Sequence, residues 1–175
     1  MTKKTLLILM SSLLFSVGTF AQKFAYVDTD YILNNIPEFN QAQDKLDEIS
    51  KQWQEDIEAI YAEVDKMYRD YQAQEVLLTD EMKTKRENTI IVKEKSAKDL
   101  QKKRFGPDAD LYAKRQELIK PLQDKVYDAI QQLAANSKYA VIFDSSSDLI
   151  MLYANPNLDK SDKILENMGY LGKGR

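Results

Sequence analysis

Between Glu38 and Leu77, apolar side chains recur with a helical step and no glycine or proline interrupts them. Leu46, Ile49, Trp53, Ile57, Ile60, Val64, Met67 and Tyr71 follow one another at intervals of three or four residues. Their mean step, between about 3.5 and 3.6, draws one narrow stripe along a helix, as at a coiled-coil seam. The remaining faces are charged or polar. The uninterrupted run has room for about 40 helical residues, or about 60 Å at 1.5 Å per residue. Pro37 suits the first turn, where its missing N–H costs nothing.

So narrow a stripe packs against one partner helix and cannot wrap a globular core. Thr79 is a good N-cap, and Asp80 and Glu81 behind it favour a helix start. The pattern therefore predicts a turn near 76–80 and an antiparallel return; one continuous helix is the alternative, because Thr79 alone is a weak break. Charge favours the hairpin. Residues 44–75 carry 10 acids and 4 bases, net −6, and residues 80–104 carry 5 acids and 9 bases, net +4. Arms of opposite sign attract, although each exposed pair contributes only about 0–1 kcal/mol.

The returning arm is sparse in apolar residues, with Ile90, Ala97 and Leu100 as seam candidates. Gly106-Pro107 predicts a break near 105–108, because residues before proline avoid the helical region and glycine tolerates that best. Helical periodicity resumes with Leu111, Leu118, Leu122, Val126, Ile130 and Leu133, with a bend expected at Pro121.

The two ends of the chain read differently. Lys23 to Asp28 is a short strand, followed by a helical turn over Thr29 to Asn35. Tyr139 to Phe143 and Leu149 to Tyr153 read as a β-hairpin across five polar residues. Asn155-Pro156-Asn157 is a turn, and Asp159 or Ser161 can cap a last helix, Lys163 to Met168, ending at Gly169. The expected fold is α+β: a long antiparallel helical hairpin over 37–136, attached to a small β body formed by 22–36 and 137–175. So small a core seldom stands alone. The apolar strand faces therefore predict a homo-oligomer.

Composition narrows the function. The chain starts with two lysines, an apolar run from Leu6 to Val17 and small residues at Thr19 and Ala21. That is the layout of a cleavable secretory signal over 1–21, too short in its apolar part to span a membrane. The chain is therefore expected to work outside the cytoplasm. Neither cysteine nor histidine is present, which removes disulfides, thiol nucleophiles and the commonest general base and zinc ligand. Paired carboxylates or a lysine could still serve an enzyme, but no catalytic residue, metal or cofactor is expected, and the protein is not expected to be an enzyme. A formal charge of −3 gives no reason to expect nucleic acid.

The segments "KFAYVDTDYILNNIPEF", "KPLQDKVYDAIQQLA" and "YAVIFDSSSDLIMLYANPNLDKSDKILENMG", flanking a charged helical hairpin, resemble the Skp/OmpH family of periplasmic chaperones. The resemblance implies a trimer. Strands of three subunits would form a joint body, and three helical arms would enclose a cavity that holds unfolded outer-membrane β-barrel proteins without ATP. A peripheral contact with the membrane surface is a further expectation. The chain departs from the strongly basic members of that family in being acidic. The rival reading is a coiled-coil adaptor or scaffold of the cell envelope, which would bind one folded partner.

On the arm, Tyr61 and Tyr68 lie beside the seam stripe, one heptad apart, and are candidates for client contact. Val76, Leu77, Leu78 and Met82 cluster near the turn as further candidates, with tip packing as the alternative for 76–78. Trp53, Met67 and Tyr71 belong to the seam itself. In the body, Phe24, Tyr26, Val141, Phe143, Leu149, Met151 and Tyr153 are expected to hold the oligomer together. The Asp144-Ser145-Ser146-Ser147-Asp148 loop resembles the start of a metal-dependent adhesion site, but no αβ repeat supplies the other ligands. Short polar residues also suit a loop between two strands, and that is the reading adopted.

Overall fold

The computed structural model describes residues 22–147 and 150–172. The expected signal segment, Asp148 and Leu149 lie outside the described residues. The first strand, β1 (Lys23–Val27), turns Ala25 and Val27 inward to near-complete burial and leaves Phe24 and Tyr26 on its other face. Asp28 ends the strand and starts α1 (Thr29–Asn34) by accepting a hydrogen bond from the Tyr31 amide at 2.8 Å. Pro37 then opens α2 (Pro37–Gln74), a single helix of 38 residues.

A short 3₁₀ turn, Glu75–Leu77, ends the outgoing arm, and the Thr79 hydroxyl receives the Met82 amide at the head of α3 (Asp80–Phe105). Asp80 and Glu81 occupy the first turn of α3, and Lys102, Lys103 and Arg104 its last, so its charges complement the helix dipole at both ends. α3 stops at Gly106, where any Cβ would collide with the Lys102 carbonyl oxygen. Asp108 then takes a left-handed conformation (φ 51°). The return continues as α4 (Asp110–Leu118) and α5 (Lys120–Ser137), divided at Ile119 ahead of Pro121. Lys138 caps α5 in a left-handed conformation (φ 57°), a position where glycine is usual.

The second strand, β2 (Tyr139–Asp144), pairs with β1 in parallel, with Tyr26 opposite Phe143. Parallel strands need a crossover connection, and here the whole arm is the crossover. The expected β-hairpin is not what forms among the described residues. β2 pairs with β1, and Ile150 to Tyr153 is not a strand. In a single chain nothing holds that segment flat, since Ile150, Leu152 and Tyr153 are 85%, 96% and 84% exposed. Among the described residues the sheet therefore has two strands, β1 and β2. Past a 3₁₀ turn at Pro156–Leu158, the Lys160 amide donates to the Tyr26 carbonyl oxygen (2.9 Å), so β1 is covered along both edges. No strand lies against the outer edge of β2 among the described residues.

The last helix, α6 (Ser161–Asn167), ends at Gly169 in the left-handed region, with the Tyr170 amide returning to the Leu165 carbonyl oxygen. Val27, Ile32, Leu33, Ile36, Leu133, Ile164 and Leu165 form the core of the body, gathered from both ends of the chain.

Candidate functional site

The arm is held by few fully buried side chains. The fully buried apolar residues of its two long helices are Leu46, Ile57 and Val64 on α2 and Ile90 and Ala97 on α3. The rest of the stripe, including Trp53, Met67 and Tyr71, is half-buried against the returning helix. Cross-links between the two arms are equally sparse. Lys93 pairs with Glu63 at 2.6 Å, the one ion pair between α2 and α3 among the described residues. On the opposite flank the Tyr71 hydroxyl donates to Glu87 at 2.5 Å, and that bond pushes the phenol up to about 12.

At the α3–α4 break, four side chains lock together. The Arg104 guanidinium lies over the Trp53 ring, reaches Asp110 at 2.6 Å, and leaves Phe105 edge-on to the same indole. This cluster braces the arm where its backbone is interrupted.

The candidate contact residues separate by exposure. Val76 and Leu77 are 95% and 84% exposed at the tip. Leu78 is half-buried, its amide bonded to the Glu75 carbonyl oxygen. Tyr68 and Met82 are partly exposed, and Met82 borders a groove of about 460 Å³ with Met67, Ile90, Asp70, Lys85 and Arg86. Tyr61 is half-buried, with its hydroxyl 3.5 Å from Gln101.

Other exposed apolar groups escaped the sequence reading: Ile91, Val92, Tyr112 and Tyr127 on the return, and Ile150 and Leu152 beyond β2. Ile90-Ile91-Val92 held a signal, because a helix can turn only one of three consecutive residues into a seam.

In the body, Phe24, Val141 and Phe143 remain 40–44% exposed on one face of the sheet. Tyr26 and Met151 are half-buried beside them and Tyr153 is exposed. Phe24, Tyr26, Phe143, Met151 and Tyr153 border one shallow groove with Leu158. So six of the seven predicted body residues stand together, and Leu149 lies outside the described residues.

The serine-rich loop has a different employment from the strand-to-strand connection expected of it. Asp144 accepts hydrogen bonds from the Thr29 amide (3.2 Å) and hydroxyl (2.7 Å), and from the Ser146 amide (3.0 Å) and hydroxyl (2.8 Å). Ser145 donates to the Val27 carbonyl oxygen. Burial pushes the Asp144 carboxyl up, but these donors outweigh it and hold the group below the ordinary carboxylate range. The loop ties the end of β2 to the start of α1. Alongside, the buried Ser161 hydroxyl accepts from the Asp28 amide and donates to Asp159.

Among the described residues no helix is long and apolar enough to cross a membrane. No curated protein matches the chain significantly. Among solved structures, the fold is shared with an OmpH-like protein of Caulobacter crescentus CB15, a candidate outer membrane chaperone. Identity is 16%, coverage is 85% of each chain, and the TM-score is 0.68. The family model for OmpH-like outer membrane proteins matches residues 23–168. That match takes in the body and the whole arm, and the chain belongs to the OmpH-like outer membrane protein family.

Proposed function

We propose that this protein is a periplasmic holdase chaperone. Three copies would join through their β bodies, and unfolded outer-membrane β-barrel proteins would be held between the arms without ATP. Family membership supports the chaperone class. The observation that carries the reading is the arm surface: a thinly packed, highly charged hairpin with isolated exposed apolar groups at Tyr68, Val76, Leu77, Ile91 and Val92. An unfolded β-barrel strand exposes alternating apolar side chains and aggregates through its unpaired edges. Many weak contacts can retain such a chain and still let it go.

Assembly is supported by the outer edge of β2, which no strand covers among the described residues, and by the apolar sheet face around Phe24, Val141 and Phe143. An exposed apolar strand edge is a template for pairing with another chain. A neighbouring copy would supply the cover that Ile150–Tyr153 lacks in one chain.

Light scattering tests the chaperone class. A urea-denatured outer-membrane β-barrel protein is diluted into buffer with and without the chain. The proposal expects aggregation to be suppressed near one trimer per client. Unchanged scattering at several-fold excess would reject it.

A further inference from the structure

We infer that neighbouring arms of the assembly attract one another through opposite charges, closing the cavity laterally when it is empty. This rests on the proposed trimer. The first observation is the separation of charge, with net −6 over residues 44–75 of the outgoing arm and net +4 over residues 80–104 of the returning one. The second is that much of this charge is not consumed inside the hairpin. Glu58 and Glu75 on the outgoing arm and Lys85, Lys102 and Lys103 on the returning arm are exposed, and none is in an ion pair among the described residues. Lys93–Glu63 is the one pair that joins α2 to α3.

The third observation is register. Tyr61 is level with Gln101, and Tyr71 with Glu87, as their contacts show. Glu58, one turn nearer the body than Tyr61, is therefore level with Lys102 and Lys103. Glu75, one turn nearer the tip than Tyr71, is level with Lys85. Arms that hang in parallel from one body keep these levels, so the outgoing arm of one copy faces the returning arm of the next with acid opposite base. A head-to-tail contact of this kind repeats around a closed ring. Exposed charges act over about 8 Å at physiological ionic strength, so the attraction draws arms together at close range and yields when a client or salt intervenes.

The chain has no cysteine, so Gln74→Cys places one spin label at each tip. Tip-to-tip distances are then read by pulsed electron resonance at 50 mM and 500 mM NaCl, with the native mass recorded in parallel. The expected result is a short, narrow distance distribution at low salt that lengthens and broadens at high salt. Lys85→Glu/Lys102→Glu/Lys103→Glu gives the long distribution at low salt, and adding Glu58→Lys/Glu75→Lys restores the short one. A trimer whose tip distances ignore both salt and the charge swap overturns this inference alone. A monomeric mass overturns the assembly and this inference with it.

Discussion

The guanidinium of Arg104 lies 4.4 Å from the centre of the Trp53 ring, and its Nη1 donates to Asp110 across the helix break. A cation over an indole is worth about 0.5–2 kcal/mol. Because Trp53 is the chain's single tryptophan, its emission reports the brace directly. Arg104→Ala is expected to shift the emission to longer wavelength and to lower the stability of the arm by about that amount. Arg104→Lys recovers part of the loss, since it keeps the charge without the planar fork. Emission unchanged in both variants would show that the brace does not form.

Asp144 and Thr29 join two segments more than a hundred residues apart in the chain. The Asp144 carboxyl is held below its ordinary range, so its contribution is present above the unfolded carboxylate value, about 4, and is lost as pH falls through the lower folded value. Asp144→Asn should cost about 1.5–2 kcal/mol at neutral pH, the lower part of the range for bonds to a charged group, because the site is half exposed. The gap from the parent protein stays constant down to about pH 4 and narrows below it. Urea midpoints measured across pH check this, and a gap independent of pH down to acid unfolding would contradict it.

Val76 and Leu77 are the most exposed apolar pair on the arm. Val76→Glu/Leu77→Glu removes no buried contact, so helicity and native mass should stay as in the parent. Protection of a β-barrel client should fall several-fold in the scattering assay. Equal protection would assign client contact elsewhere, with Tyr68, Ile91 and Val92 the next residues to test.

Lys138 holds a left-handed turn between α5 and β2. Such a conformation costs an ordinary residue about 1–2 kcal/mol, and glycine avoids that cost while losing more entropy on folding. Lys138→Gly is expected to raise thermal stability slightly, by a net of about 0.5–1 kcal/mol, and Lys138→Val to lower it. Thermal melts followed by circular dichroism decide the sign.

Much of the arm was legible because a helical stripe needs only its own spacing: Leu46, Ile57 and Val64 are buried where the period puts them, and Thr79 receives the Met82 amide. The body was less legible because strand pairing depends on segments far apart. Apolar runs at 139–143 and 149–153 fit a local hairpin, yet β2 takes β1 as its partner across the entire arm. The acceptor role of Asp144 is hidden for the same reason: it depends on Thr29, which no local spacing connects to it. Exposed groups such as Tyr112 and Tyr127 lie off the stripe and carry no periodic mark.

Holding a client in a cavity between copies is the central claim, and native mass spectrometry tests it most directly. The protein from residue 22 onward is measured alone and after dilution of a urea-unfolded outer-membrane β-barrel protein into it. The account predicts three copies alone, and three copies carrying one client in the mixture. A monomer in both samples, or a trimer that never acquires client mass while the client aggregates, would contradict it.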